Sequence, residues 1–222
     1  MLDTSFSKNI RSMNQIFEFL IDPYTSYPLI NILLETGAVI LGILSVWYAK
    51  QNKIAVYPTG MISTGIYVFL LFQAGLVGDL MINAYYFIMS IYGWYFWTLK
   101  KETTLVNPIS RMNTYEKRWW FIFFMGIIFF VSGIYILFDK WKDWSAPIDT
   151  FTTAIFFIAM WLMARKKIEH WFFWITGNLI SIPLYMAKGL GLTSLQYLIF
   201  TVIAIFGYIQ WKKILNNKKA TA

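Results

Sequence analysis

The sequence predicts an all-α membrane protein. Seven transmembrane helices form two parallel three-helix bundles joined by a linker helix, preceded by an interfacial N-terminal helix. Three observations carry this expectation. Apolar residues make up 58% of the 222-residue chain and charged residues only 14%, against about 45–50% and about 25% in a soluble domain. The few charges fall between long apolar runs. The chain also resembles itself when shifted by 114 residues.

The composition excludes several classes of protein. With 11 Trp, 14 Tyr and 20 Phe, the chain carries more apolar surface than a soluble core of this size can hide. The absence of cysteine rules out a disulfide scaffold, thiolate zinc sites and thiol catalysis. A single histidine, His170, argues against histidine metal sites and triads. There is no glycine-rich phosphate loop and no carboxylate pair at catalytic spacing, so neither an enzyme nor a bound cofactor is expected. The formal charge of +8 sits in loops and needs no nucleic-acid partner.

The first element covers residues 1–27. Ile10, Met13, Ile16, Phe17, Leu20 and Ile21 recur at helical spacing, with Lys8, Arg11, Asn14, Gln15 and Glu18 between them. That pattern suits a helix lying in the membrane interface. It is too polar to span, and it lacks the apolar core and cleavage site of a signal peptide. A crossing helix needs about 20 apolar residues for about 30 Å of hydrocarbon. Residues 54–78, 80–99, 119–138, 171–187 and 189–211 carry no Asp, Glu, Lys or Arg, while Glu35 and Asp149 interrupt two further runs near their starts. The expected spans lie near 29–50, 54–72, 80–100, 118–138, 146–164, 168–187 and 191–212. The loops after spans 1, 3, 5 and 7 hold 14 of the 19 Lys and Arg residues. The positive-inside rule therefore places them in the cytoplasm, with the N-terminus outside and the C-terminus inside.

At the 114-residue offset Trp47 falls on Trp161, Lys53 on Lys167, Ile54 on Ile168, Gly93 on Gly207 and Trp97 on Trp211. Gly75-Leu76 falls on Gly189-Leu190, Tyr57 meets Trp171, and Glu35 meets Asp149. Three spans per repeat is an odd number, so direct fusion would invert the second copy. Span 4 restores its direction. The expected divisions are a first repeat over 28–101, a loop and linker helix over 102–140, a second repeat over 141–213 and a cytoplasmic tail over 214–222. Parallel repeats are a transporter pattern, with substrate near the midplane between the halves. Duplication also builds membrane proteins that transport nothing, and a membrane-bound sensor is the competing reading.

Polar side chains in hydrocarbon are costly unless they pair or face a cavity. Trp171, Trp174, Asn178, Ser181 and Tyr185 follow one another at steps of three and four on span 6, so they share a helical face. Asn83, Tyr86 and Ser90 do the same on span 3. Span 2 offers Ser63, Thr64 and Tyr67, and span 7 begins with Thr193, Ser194 and Gln196. Two indoles with interleaved amides suit a flat ligand with polar edges. An indole face also holds a cation. Packing is the better reading for Ser63, Thr64 and Ser90, and membrane-interface anchoring for Trp119, Trp120, Trp141 and Trp144. Asp79 reads as a solvated boundary residue, and Tyr92-Gly93-Trp94 as a point of close packing. After Glu35 only 14 uncharged residues precede Lys50, roughly 21 Å of helix. Glu35 thus lies at or inside the outer interface, with Lys140, Lys142 and Lys188 as candidate partners. Glu35 and Asp149 are candidate gating or coupling residues.

These residues point to a family. The stretch from Asn83 through Tyr92-Gly93-Trp94 to Trp97 resembles a signature of the PnuC family of vitamin transporters. So do Lys167 to Asn178, with its Trp-x-x-Trp followed by Asn, and Leu195-Gln196-Tyr197 to Gly207 and Trp211. The likeness covers about 30–215 of the chain. It implies a fold resembling that of SWEET sugar transporters and facilitated uptake across a bacterial cytoplasmic membrane, with cytoplasmic phosphorylation trapping the substrate. Nicotinamide riboside is the first expectation and thiamine the second; other relatives take riboflavin or deoxynucleosides. Carried over, the Trp-x-x-Trp pair is Trp171 and Trp174, and the amide is Asn178. Many nicotinamide riboside members have Gln where this chain has Asn83, which shortens the reach of that contact. The expected substrate-binding set is Trp171, Trp174, Asn178, Asn83, Tyr86, Gln196 and Tyr67. The expected partners are the vitamin, the lipid bilayer, a homotrimeric assembly, and a cytoplasmic kinase that acts without required contact.

Overall fold

The computed structural model describes residues 28–73, 77–101, 104–105, 107–139, 141–188 and 191–220. The N-terminal interfacial segment lies outside these residues, as do Lys140, Gly75-Leu76 and Gly189-Leu190. Seven helices make up almost all of the described chain: α1 Leu29–Lys50, α2 Val56–Gln73, α3 Val77–Thr98, α4 Thr114–Leu137, α5 Ala146–Ala164, α6 His170–Ala187 and α7 Gly191–Ala220. α1 and α5 coincide with the expected spans, and the other starts shift by up to four residues. α7 runs on through residues expected to form a tail. A short antiparallel ladder, β1 Lys100–Lys101 with β2 Thr104–Leu105, follows α3, and a single parallel bridge pairs Ser110 with Lys167. Five helices are long and apolar enough to cross a bilayer by composition alone; α3 and α6 are not among them. Those two carry the polar stripes described above.

The helix ends have local causes. Pro28 opens α1, its carbonyl accepting from the N–H groups of Asn31 and Ile32 at 2.9 and 3.2 Å. Asn113 and Glu116 form a reciprocal capping box at the start of α4. Pro147 stands in the first turn of α5, where its missing N–H costs nothing. α1 and α5 end in the same way. Asn52 and Lys166 adopt left-handed backbone, φ 55° and 54°, and donate to Ala49 and Met163 carbonyls at 3.0 and 2.9 Å. The next residues, Lys53 and Lys167, donate to Tyr48 and Leu162 at 3.0 and 2.9 Å. Every one of these pairs is related by the 114-residue offset, so the sequence likeness returns as geometry.

Neighbouring helices pack in the order α1–α2–α3–α5–α6–α7 and back to α1, a closed ring; α4 lies outside it against α5. Small residues let α1 and α2 approach closely. Ser63 Oγ donates to the Ala38 carbonyl and Ser45 Oγ to that of Val56, both at 2.7 Å. Thr64 Oγ1 turns back to the Gly60 carbonyl of its own helix at 2.8 Å. Serine and threonine here are packing residues, as expected. The outer faces are apolar: Phe121, Phe129, Phe130 and Leu137 of α4 are exposed, the arrangement a lipid solvent requires. Trp119, Trp141 and Trp144 are exposed too, and Trp120 packs on Phe124 and Phe173.

The ends of the ring differ in charge. α1, α3, α5 and α7 finish at a basic end, with Lys50, Lys53, Arg165, Lys166, Lys167 and Lys212. There the α3–α4 connection is stitched to the α5–α6 turn. Ser110 exchanges backbone hydrogen bonds with Lys166 and Ile168, and Met112 N–H donates to Glu169 Oε2 at 3.0 Å. Buried Glu116 takes Arg165 and Lys167 at 3.1 and 3.0 Å. The opposite, acidic end carries Asp79 and Asp149.

Candidate functional site

The ring encloses a cavity of about 950 Å³, and all nine residues singled out from the sequence line it: Glu35, Tyr67, Asn83, Tyr86, Asp149, Trp171, Trp174, Asn178 and Gln196. They come from six elements, α1, α2, α3, α5, α6 and α7. Period-3.6 patterning on each helix turns one polar stripe inward, and ring closure brings the stripes together.

The middle of the cavity is an aromatic cage. Trp174 meets Tyr86 edge-on at 6.0 Å and Phe156 at 5.5 Å. Phe156 stacks on Tyr197 at 5.9 Å, and Tyr197 on Tyr185 at 5.1 Å. Beside the cage, Asn178 is almost fully buried, yet its amide and that of Gln196 make no hydrogen bond to another described residue. Gln196 is half-buried, and both amides line the cavity with donors and acceptors open to it, so these two are poised to bind a polar-edged guest. The Asn83 amide nitrogen is tied to the Asp79 carbonyl at 2.9 Å, which leaves its oxygen as the acceptor.

At the basic end the cavity has a closed floor. Tyr57 and Trp171 line it, and both are essentially inaccessible. Trp171 is therefore neither lipid-facing nor part of the mid-cavity cage. It packs edge-on against Trp211 at 5.7 Å, and Tyr57 packs edge-on against Trp97 at 5.1 Å. Each floor ring fills a notch left by a glycine. A Cβ on Gly207 would stand 2.6 Å from Trp171, and one on Gly93 would collide with Tyr57. Close packing at Gly93 thus has its cause. Gly207→Ala is expected to lower stability by about 1–3 kcal/mol through overpacking. Gly133→Ala, which faces open space, is the control, and thermal unfolding in detergent distinguishes them. Beneath the floor Lys166 Nζ lies 4.4 Å above the Trp97 ring, and burial pushes its ammonium down to about 8.

At the acidic end Glu35, Asp79, Asp149 and Lys188 are the only Asp, Glu, Lys or Arg residues lining the cavity, among the described residues. Lys188 Nζ bridges both Asp149 oxygens at 2.9 and 2.7 Å, and Ser145 Oγ adds a third bond at 2.8 Å. Lys142, expected as a candidate for Glu35, pairs with Asp139 at 3.0 Å. The rim carries three carboxylates against one ammonium, and its field favours a cation.

The cavity is asymmetric across the repeat. Trp174 corresponds to Gly60 and Phe156 to Gly42 at the offset of 114, so the second half supplies rings where the first packs glycines against Ser45 and Ser63. Phe156 was not singled out from the sequence, although Asp149, Thr152 and Thr153 lie seven, four and three residues before it on the same face and line the cavity with it. Tyr135 reaches the cavity from α4, which periodicity within α4 does not reveal. Asp79 belongs to the rim rather than to bulk solvent alone. Ser181 shares the Trp174 stripe but is buried outside the lining, and Ser194 packs, donating to the Ile182 carbonyl at 2.8 Å.

Known proteins resemble this chain. The chain is 26% identical over 209 residues to the nicotinamide riboside transporter PnuC of Escherichia coli (strain K12), covering 80% of this chain and 84% of that protein. It is 24% identical over 179 residues to the riboflavin/roseoflavin transporter RibM of Streptomyces davaonensis, covering 78% and 81%. A crystal structure of the vitamin B3 transporter PnuC superposes with a TM-score of 0.61 at 25% identity, covering 83% of each chain. The family described as nicotinamide mononucleotide transporter matches residues 32–213, nearly the whole helical ring and α4. With its closed ring of apolar-faced helices around a cage, the chain belongs to that family of membrane transporters.

Proposed function

We propose that this chain carries nicotinamide riboside across a bacterial cytoplasmic membrane by facilitated diffusion. The observation that carries the reading is the cavity itself: a Trp174, Tyr86 and Phe156 cage beside two unpartnered amides, under a rim with more carboxylates than ammonium groups. A flat pyridinium cation stacks in the cage and is drawn by the rim. Its ribose hydroxyls and carboxamide suit Asn178, Gln196 and the Asn83 oxygen. Among the described residues Lys188 is the one cavity-lining ammonium, and it is already held by Asp149, which argues for an uncharged sugar rather than a phosphate. Thiamine, also a flat cation, is the second candidate. The likeness to RibM supports riboflavin as a third, but a neutral flavin gains nothing from the acidic rim.

The reading extends to architecture. The first repeat and the second, over 28–101 and 141–213, act as parallel three-helix halves that rock about the central cavity, with α4 as the reversing linker. The reciprocal helix ends at Asn52 and Lys166 support this arrangement. The basic end faces the cytoplasm, and a cytoplasmic kinase traps the product. Assembly as a homotrimer belongs to the same proposal. Glu35 and Asp149 serve the outer gate rather than ion coupling.

The decisive experiment uses purified protein in liposomes. Labelled nicotinamide riboside should equilibrate without accumulating, and should accumulate only when a trapping kinase and ATP are enclosed. Uphill accumulation without kinase, abolished by a protonophore, would replace the uniport with coupling through Glu35 or Asp149. Calorimetric titration with nicotinamide riboside, thiamine and riboflavin ranks the substrates, and binding without flux would favour a sensor.

A further inference from the structure

The floor of the cavity is closed by more than ring packing. The indole of Trp97, at the end of α3, donates to the carbonyls of Met163 and Ala164 at the end of α5, at 3.3 and 3.1 Å. The indole of Trp211, in α7, donates to the carbonyl of Ala49 at the end of α1, at 3.0 Å. Trp97 and Trp211 are equivalent at the offset of 114, and so are their acceptors Ala49 and Met163. Each bond crosses from one half of the ring to the other, and the two are reciprocal. Their acceptors lie in the last turns of α1 and α5, and the Ala49 and Met163 carbonyls, which also take the Asn52 and Lys166 N–H groups, offer the indoles their second lone pair.

We infer that Trp97 and Trp211 are paired latches that hold the basic end shut, and that both must release for substrate to leave by that end. Four rings form one continuous plug. Tyr57 lies edge-on to Trp97, Trp97 is 6.0 Å from Trp211, and Trp171 lies edge-on to Trp211. All four are buried, with at most 4% exposure. The floor rings Tyr57 and Trp171 rest against glycines one helical turn before each latch, Gly93 before Trp97 and Gly207 before Trp211. A half that swings away at this end breaks its own indole bond and loses its partner's as well. The two latches therefore act as a unit.

The plug also holds polar atoms with no partner among the described residues: Tyr57 Oη, Trp171 Nε1 and both ring nitrogens of His170. His170 is fully buried between Trp171 at 4.2 Å and Trp211 at 4.8 Å. Such atoms disfavour the shut state, and water or a passing guest satisfies them when the plug parts. The indole bonds oppose that opening tendency. Trp97 and Trp211 thus act through the plug, as positioning residues rather than as substrate contacts.

The chain contains no cysteine, which makes a direct test available. Thr64 lines the cavity, and Thr64→Cys places one thiol there. A membrane-impermeant maleimide is applied to right-side-out and inside-out vesicles of cells expressing this chain, with the latches intact or carrying Trp97→Phe, Trp211→Phe or both. Phenylalanine keeps a ring and removes the donor. With intact latches, labelling should come from the acidic-end side. Labelling from the basic-end side should rise about threefold in either single variant and about tenfold in the double variant, as loss of one and then two net hydrogen bonds shifts a two-state equilibrium. Trp119→Phe, on the outer surface, should change nothing. The inference is overturned if the intact-latch chain labels equally from both sides. It is equally overturned if variants that still bind nicotinamide riboside keep the parental ratio. The inference rests on the transport reading, and flux of the parent chain in the same vesicles tests that reading separately.

Discussion

Trp174→Ala should weaken nicotinamide riboside binding about 10- to 100-fold, the loss of roughly 1–3 kcal/mol that aromatic stacking on a base supplies. Trp174 is the one ring in the cavity that touches both Tyr86 and Phe156, so its removal opens two sides of the cage at once. Trp174→Phe should recover part of the affinity, since a smaller ring keeps a stacking face. Calorimetry on purified protein reads both values. Unchanged affinity in a folded Trp174→Ala protein would assign that indole to packing and move the binding site elsewhere in the cavity.

The second large effect concerns stability. Glu116 is 2% exposed and accepts from Arg165, Lys167 and the Asn113 N–H, the last at 3.0 Å. Glu116→Ala leaves Lys167 without its carboxylate in a poorly hydrated position and removes half of the capping box of α4. Removing one partner of a buried pair costs about 3–5 kcal/mol. Arg165 keeps roughly a third of its side chain in water, so a loss of about 2–4 kcal/mol is expected, after discounting for that exposure. Glu116→Gln should fall between, because the amide still caps the helix but carries no charge. Thermal unfolding in detergent checks the order. A Glu116→Ala protein as stable as the parent would mean that the α3–α4 connection is held by its other bonds, those of Ser110 to Lys166 and Ile168 and of Met112 to Glu169.

The helices were legible because membrane spans announce themselves by length and by the charges that flank them. Leu29–Lys50 and Ala146–Ala164 were delimited to the residue, since Lys50 and Arg165 stand directly at their ends. The stripe from Trp171 to Tyr185 was legible as a face, because spacing of three and four fixes direction around a helix. Depth along that face was not. Trp171 and Trp174 are three residues apart, yet one seals the floor against Trp211 and the other walls the cage beside Phe156. Which role each takes depends on residues more than 15 positions away, and no local pattern encodes that. Phe156 escaped notice for the complementary reason. Asp149, Thr152 and Thr153 mark its face of the helix, but a phenylalanine beside threonines that can bond their own helix is not told from a packing residue until the neighbouring helix is placed. Asp79 was read from its position at a span edge, but ring closure sets it beside Asp149 and Lys188 at the mouth.

In the proposed arrangement of two repeats joined through α4, covalent linkage has a consequence for the cavity walls. Two separate identical chains meeting about a dyad must present the same residues twice, so any ring added to one wall is added to the other. Phe156 and Trp174 repeated at positions 42 and 60 would press on Ser63 and Ser45, whose hydroxyls stand 3.2 and 2.9 Å from where a Cβ on Gly42 and Gly60 would lie. Fusion frees each half to mutate alone. On the proposed two-repeat arrangement the chamber is lopsided where Phe156 and Trp174 face Gly42 and Gly60, while the closures at Trp97 and Trp211 stay matched.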